Sequence, residues 1–246
     1  STEYSLVATN YVVLQIWTKR ALDIISVGNF SPEFGATWLR VAPDGRIVVN
    51  TMTPGGYRLR RLDADGNNPK FLIDGFQWGK PDISPDGHWV VYEAITEGVR
   101  KIWRVPLDGG TPELVIDLES FLPAVSPDGS RIAFYFPDPE DGRFKIGVAG
   151  FDGGELELEL EAEIFYAGTL LRWTDDGTSL LTNTVAGDRA NLYRLPLDGS
   201  APQRLTDFDD RRMYWYEVAP DGETLVVARG ELSRDAVLIE NFLPAQ

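Results

Sequence analysis

The chain has 246 residues, 43% hydrophobic and 25% charged, which is the balance of an ordinary globular protein and leaves no case for disorder. Its 23 Lys and Arg stand against 38 Asp and Glu, a net charge of -15 that repels nucleic acid and anionic membrane surfaces. With no Cys and a single His, His88, disulfides, thiolate chemistry and the usual Cys/His zinc sites are excluded, and no apolar run approaches the length of a spanning helix.

Taken in chain order, Ser1-Thr2-Glu3 reads as the start of a mature or trimmed segment, without initiator Met or leader. Residues 3–28 read as three strands, with Gln15-Ile16-Trp17 matching Lys101-Ile102-Trp103 further on. A turn signature then recurs as Ala42-Pro43-Asp44-Gly45, Ser84-Pro85-Asp86-Gly87, Ser126-Pro127-Asp128-Gly129, Thr174-Asp175-Asp176-Gly177 and Ala219-Pro220-Asp221-Gly222. Its Asp positions lie 42, 42, 48 and 45 residues apart, the period of a four-stranded propeller blade. Pro sets φ early in the turn, Asp bonds the local backbone and Gly accepts positive φ. A β-branched or aromatic strand follows each time, as in Arg46-Ile47-Val48-Val49 and Trp89-Val90-Val91-Tyr92.

Between these turns lies a second signature, Leu62-Asp63-Ala64-Asp65-Gly66, Leu107-Asp108-Gly109-Gly110, Phe151-Asp152-Gly153-Gly154 and Leu197-Asp198-Gly199-Ser200. An Asp-Gly pair after an alternating strand marks a hairpin. With strands lettered A to D, the first turn joins A to B and the second joins C to D, which predicts complete blades at about 37–74, 77–117, 120–161 and 168–207. Residues 3–28 supply strands B, C and D of another blade and residues 213–242 strands A, B and C of a last one. The expectation is an all-β propeller of six blades, two of them three-stranded, or of five if the first strands complete the last blade, in one domain over residues 1–246.

Alignment on the turns places Arg40, Asp82, Ala124, Arg172 and Glu217 at one position of strand A, which lines a propeller's channel. These charges either present a polar ligand with both signs or neutralise one another across the channel. Aromatic residues gather where strand D hands over to the next strand A: Phe34 and Trp38, Phe76 and Trp78, Phe121, Phe165 and Tyr166, Phe208, Tyr214 and Trp215. They either rim one mouth of the channel as an interface, for which Phe76, Trp78, Tyr214 and Trp215 are the candidates, or plug the gaps between blades. The acidic loops Asp138-Pro139-Glu140-Asp141 and Asp207-Phe208-Asp209-Asp210 belong to the same face. The Asp residues of the turns need no role beyond turn formation, and His88 has no nucleophile motif beside it. Trp173 replaces a small aliphatic before its turn and is expected to wedge between blades.

The Ser-Pro-Asp-Gly turn after the innermost strand, repeated at one period, resembles the TolB-like propeller repeats over about residues 30–242. That family includes the periplasmic TolB component of the Tol-Pal system, the non-catalytic propellers of dipeptidyl-peptidase-like proteases, and extracytoplasmic parts of bacterial serine/threonine kinases and membrane-tethered regulators. The stretch Ser233-Arg234-Asp235-Ala236-Val237-Leu238-Ile239-Glu240-Asn241-Phe242 is similar to the end of the kinase-linked propellers in particular. The resemblance implies a non-catalytic binding propeller, an extracytoplasmic sensor or scaffold in the periplasm or at the cell surface. It would take a protein, peptide or small polar ligand at the channel mouth, without cofactor, metal, nucleic acid or membrane insertion, and stay monomeric as an isolated domain. The alternative is a glycoside hydrolase using Asp82 and Glu217 as its two carboxyl groups.

Overall fold

In the computed structural model, residues 13–18, 21–26, 36–53, 56–73, 79–161, 170–186, 189–209, 212–218 and 225–230 are described. The strands are β1 (Val13–Thr18), β2 (Ala21–Ser26), β3 (Ala36–Val41), β4 (Ile47–Thr53), β5 (Gly56–Leu62), β6 (Lys70–Phe71), β7 (Asp82–Ile83), β8 (Trp89–Thr96), β9 (Val99–Pro106) and β10 (Glu113–Ile116). They continue as β11 (Phe121–Val125), β12 (Arg131–Pro137), β13 (Phe144–Gly150), β14 (Leu156–Glu161), β15 (Leu171–Trp173), β16 (Ser179–Ala186), β17 (Arg189–Pro196), β18 (Gln203–Arg204), β19 (Arg212–Val218) and β20 (Leu225–Gly230). Among the described residues there is no helix long and apolar enough to cross a membrane.

Four consecutive antiparallel meanders form, β3 to β6, β7 to β10, β11 to β14 and β15 to β18, each a four-stranded blade in chain order. They fall where the two turn signatures place them. In the A to B turns the carboxylates of Asp86, Asp128 and Asp176 each accept the backbone N–H two residues on, at 3.0 Å. The hydroxyls of Ser84, Ser126 and Thr174 donate to these same carboxylates and accept the N–H of Trp89, Arg131 and Ser179. In the first blade Ala42 has no hydroxyl, and the turn is one residue tighter: Ala42 N–H bonds to Arg46 O, whereas Ser84 N–H bonds to Trp89 O.

Six blades, or five, are not what forms. The described residues hold four four-stranded blades, while the end segments give only the two-stranded sheets β1-β2 and β19-β20. A blade requires two linked hairpins, and at each end one hairpin is paired. The runs counted there as third strands, before Val13 and at Ala236 to Ile239, lie outside the described residues.

The apolar core sits between blades. Val48, Leu59 and Leu72 pack against Val90, Tyr92 and Val105 at the first junction. Val91, Ile102 and Ile116 meet Ile132, Phe134 and Ala149 at the second, and Tyr135, Ile146 and Val148 meet Leu171, Trp173 and Leu180 at the third. Leu170, Leu181 and Leu192 meet Met213 and Tyr216 of β19 at the fourth, and Trp38 of β3 packs on this last cluster. The first full blade thus meets the last described strands, which bends the row of sheets back on itself.

Candidate functional site

Register confirms the sequence alignment of strand A: Arg40, Asp82, Ala124, Arg172 and Glu217 pair with Val48, Val91, Ala133, Leu181 and Val226, the corresponding positions of strand B. Arg40 Nε donates to Asp82 Oδ1 at 3.1 Å across the first junction, with both side chains less than a fifth exposed. Asp82 Oδ2 accepts the N–H of Val125 at 2.9 Å across the second. One carboxylate therefore ties three blades together through both of its oxygens. Arg172 donates to the carbonyl of Leu171. Glu217 lies in β19, its side chain outside the described residues.

Of the aromatic candidates, Phe76, Trp78, Phe165 and Tyr166 lie outside the described residues, and Tyr214 and Trp215 are placed on β19 by backbone alone. Phe121 is a plug, buried against Tyr135 and edge-on to Phe144, with Arg100 stacked over its ring at 4.3 Å. Trp173 is the expected wedge: it is buried, donates Nε1–H to the carbonyl of Ala124 at 2.9 Å, and carries Arg131 over its ring at 4.8 Å. The loop at Asp138 is charge-matched, with Lys145 on Asp138 and Arg143 on Asp141, and Arg204 holds Asp207. His88 is exposed and pairs with Asp86 at 3.0 Å. Among the described residues no group of His, Cys, Asp and Glu is arranged to hold a metal.

A position that the sequence reading passed over emerges on strand B. Asn50, Glu93, Tyr135 and Asn183 occupy equivalent places, and all four are buried. Asn50 Nδ2 donates to Gly79 O, Leu122 N–H donates to Glu93 Oε2 at 2.8 Å, and Tyr135 shares a hydrogen bond with Thr182, each reaching the next blade. Asn183 accepts Leu170 N–H within its own sheet. Glu93 is the one ionisable carboxyl in this row. Burial pushes it up to about 7 against the pull of the Leu122 N–H and the Arg100 charge. Its carboxyl lies so close under Gly79 that a Cβ there would collide with it. Aligned by hydropathy alone, a Glu among Asn and Tyr looks like a surface position, which hides the row.

The family described as the TolB beta propeller domain matches residues 37–243. An uncharacterized protein of Agrobacterium fabrum is 33% identical over 110 residues, 42% of this chain and 34% of that protein. Dipeptidyl-peptidase 5 of Aspergillus fumigatus is 25% identical over 171 residues, 59% of this chain and 23% of the peptidase. The chain thus spans about a third or less of the length of these curated relatives. Among solved structures, a TolB candidate from Agrobacterium tumefaciens superposes with a TM-score of 0.65 at 25% identity, over 86% of this chain and 74% of its own.

Proposed function

The chain belongs to the TolB β-propeller family, and on that premise we propose that it is a non-catalytic binding propeller, the extracytoplasmic sensor or scaffold part of a bacterial signalling or envelope protein. The observation that carries this reading is the use made of Asp82. In a hydrolase the channel carboxylates must be free to exchange protons, whereas here both oxygens of Asp82 hold neighbouring blades. The peptidase relative supports the same view, since the matched region is under a quarter of a much longer protein.

Contact falls on the mouth where strand D hands over to the next strand A, with Phe76, Trp78, Tyr214 and Trp215 as anchors for a protein or peptide. Aromatic anchors bury large area at little rotamer cost, so a few of them suffice. The test is Ala replacement of the four, with the immobilised chain used to capture partners from a periplasmic extract. Capture is expected to fall while the thermal midpoint moves little; unaltered capture removes the reading.

A further inference from the structure

The fourth A to B turn departs from the repeat at two positions. Asp175 stands where the other turns carry Pro43, Pro85, Pro127 and Pro220, and Trp173 stands where Val41, Ile83 and Val125 precede the first three. Proline serves these turns twice. It presets φ, and its ring lies toward the glycine of the next turn, so that a Cβ added to Gly87 or Gly129 would be 3.2 Å from Pro43 or 3.5 Å from Pro85. Asp175 gives up both. It is exposed, and no described residue bonds to its carboxylate.

The same turn borders a cavity of about 430 Å³ between the fourth blade and the sheet β19-β20, with Leu181, Leu192, Leu205, Val218 and Leu225 as its apolar wall and Trp173 beside them. That wall is uncovered at Leu205, which is 48% exposed. Leu72 and Val115, at the same register in the first two blades, are only 5% and 7% exposed and pack in the clusters formed with the next blade. Arg61, Arg104 and Arg194 likewise share one register opposite strand B. Arg61 and Arg104 reach Asp108 and Asp152 in the next blade's hairpin, whereas Arg194 turns back on its own blade, to Asp176 at 3.5 Å and Ser179 Oγ at 2.9 Å. Asp176 is held further by the Thr174 hydroxyl and Thr178 N–H, so Asp175 is the charge left over at the rim.

We propose that this cavity binds a small organic cation, an ammonium group on an apolar body, with the ammonium at Asp175 and the body against Leu205 and Leu225. The volume lies within the range of small-molecule sites, about 300 to 1,000 Å³, and the walls are of the apolar kind such sites use. A net charge of -15 draws a cation toward the chain and repels an anion. An Asp-Gly hairpin from another protein, the cover used at the other junctions, would set its carboxylate near Asp175, and a second copy of the chain is disfavoured by its own charge. The cavity borders the A to B turns, apart from the mouth that carries the aromatic candidates, and the inference stands independently of that mouth.

The test is methyl and amide NMR of the whole chain titrated with phenethylammonium, phenethyl alcohol and hydrocinnamate, which share an apolar body and differ in the charge of the head group. With the ammonium, saturable shifts are expected at Trp173, Leu205, Val218 and Leu225; the alcohol is expected to bind about tenfold more weakly, and the carboxylate not at all. Asp175→Asn is expected to bind ammonium and alcohol alike, with its thermal midpoint unchanged. The proposal is overturned by an absence of saturable shifts at these residues, by binding of the carboxylate as tight as that of the ammonium, or by a preference for the ammonium that survives in Asp175→Asn. The first two outcomes are read on the unaltered chain, so they decide the matter even if the variant fails to fold.

Discussion

Glu93 is a charge stored where its neighbours in the repeat keep neutral amides and a phenol. Its carboxyl, ordinarily near 4.5 and here about 7, sets a sign for stability against pH. Below the ordinary value it is protonated in both states and costs nothing. As pH rises from 4.5 to 7 the unfolded chain releases the proton while the folded chain retains it, so stability falls, by about 3 kcal/mol at most once both states are ionised. The turn residues Asp86, Asp128 and Asp176 act in the opposite direction. Hydroxyl donation by Ser84, Ser126 and Thr174 is the largest cause that brings them down to about 2, and their contribution is lost only as pH falls from 3.8 through that value. Urea unfolding is therefore expected to show a maximum near pH 4 to 5, and Glu93→Gln, which keeps an acceptor for Leu122 N–H, is expected to flatten the decline toward pH 8. A variant with the same slope as the parent would show that Glu93 ionises freely in the fold. At the same scale, Trp173→Ala removes a buried ring and the bond to Ala124 O, and a loss of about 3 to 5 kcal/mol is expected from the chemical midpoint.

At the scale of the element, the C to D hairpin does more than reverse the chain. In the third blade Gly153 has φ of 87°, and a Cβ on it would come within 2.6 Å of the carbonyl oxygen of Val115 in the preceding blade. Beside it Asp152 receives Arg104 at 2.7 Å, so this turn is a clasp between sheets. Gly199 adopts nearly the same φ, 83°, with open space where its Cβ would be. Gly199→Ala is expected to cost about 1 kcal/mol, the strain of a left-handed residue alone, and Gly153→Ala at least about 2 kcal/mol, because a backbone atom cannot move aside cheaply. Equal losses in thermal unfolding would show that the clasp yields. Both hairpins and all four full blades were legible in the sequence, because Pro, Asp and Gly act through local φ and local hydrogen bonds that short spacing reveals. The clasp was not legible. Asp108 and Asp152 look like any other turn Asp until the sheets are stacked and Arg61 and Arg104 arrive from the blade before.

For the molecule as a whole, the period announced the architecture but not the number of blades, since the pairing of chain ends depends on contacts between residues far apart that leave no local mark. Equivalence of Arg40, Asp82, Arg172 and Glu217 was visible from the turns. What the alignment left open was whether these charges serve a ligand or the ring, and for Asp82 the geometry places Arg40 on one oxygen and Val125 N–H on the other. A carboxylate so placed links three blades, and its loss strands a guanidinium and a backbone donor together. Asp82→Ala is accordingly expected to lower stability by about 2 to 3 kcal/mol, a value reduced from that of a fully buried pair because both groups retain some contact with water. In a cycle with Arg40→Met, the coupling between the two sites is expected to be about 1 kcal/mol, with the bond to Val125 N–H contributing to the rest of the Asp82 effect. Partner capture by Asp82→Ala, measured well below its melting point, is expected to match the parent chain. Lost capture with unchanged stability would instead assign Asp82 to the ligand, and the blades would then have to be held without it.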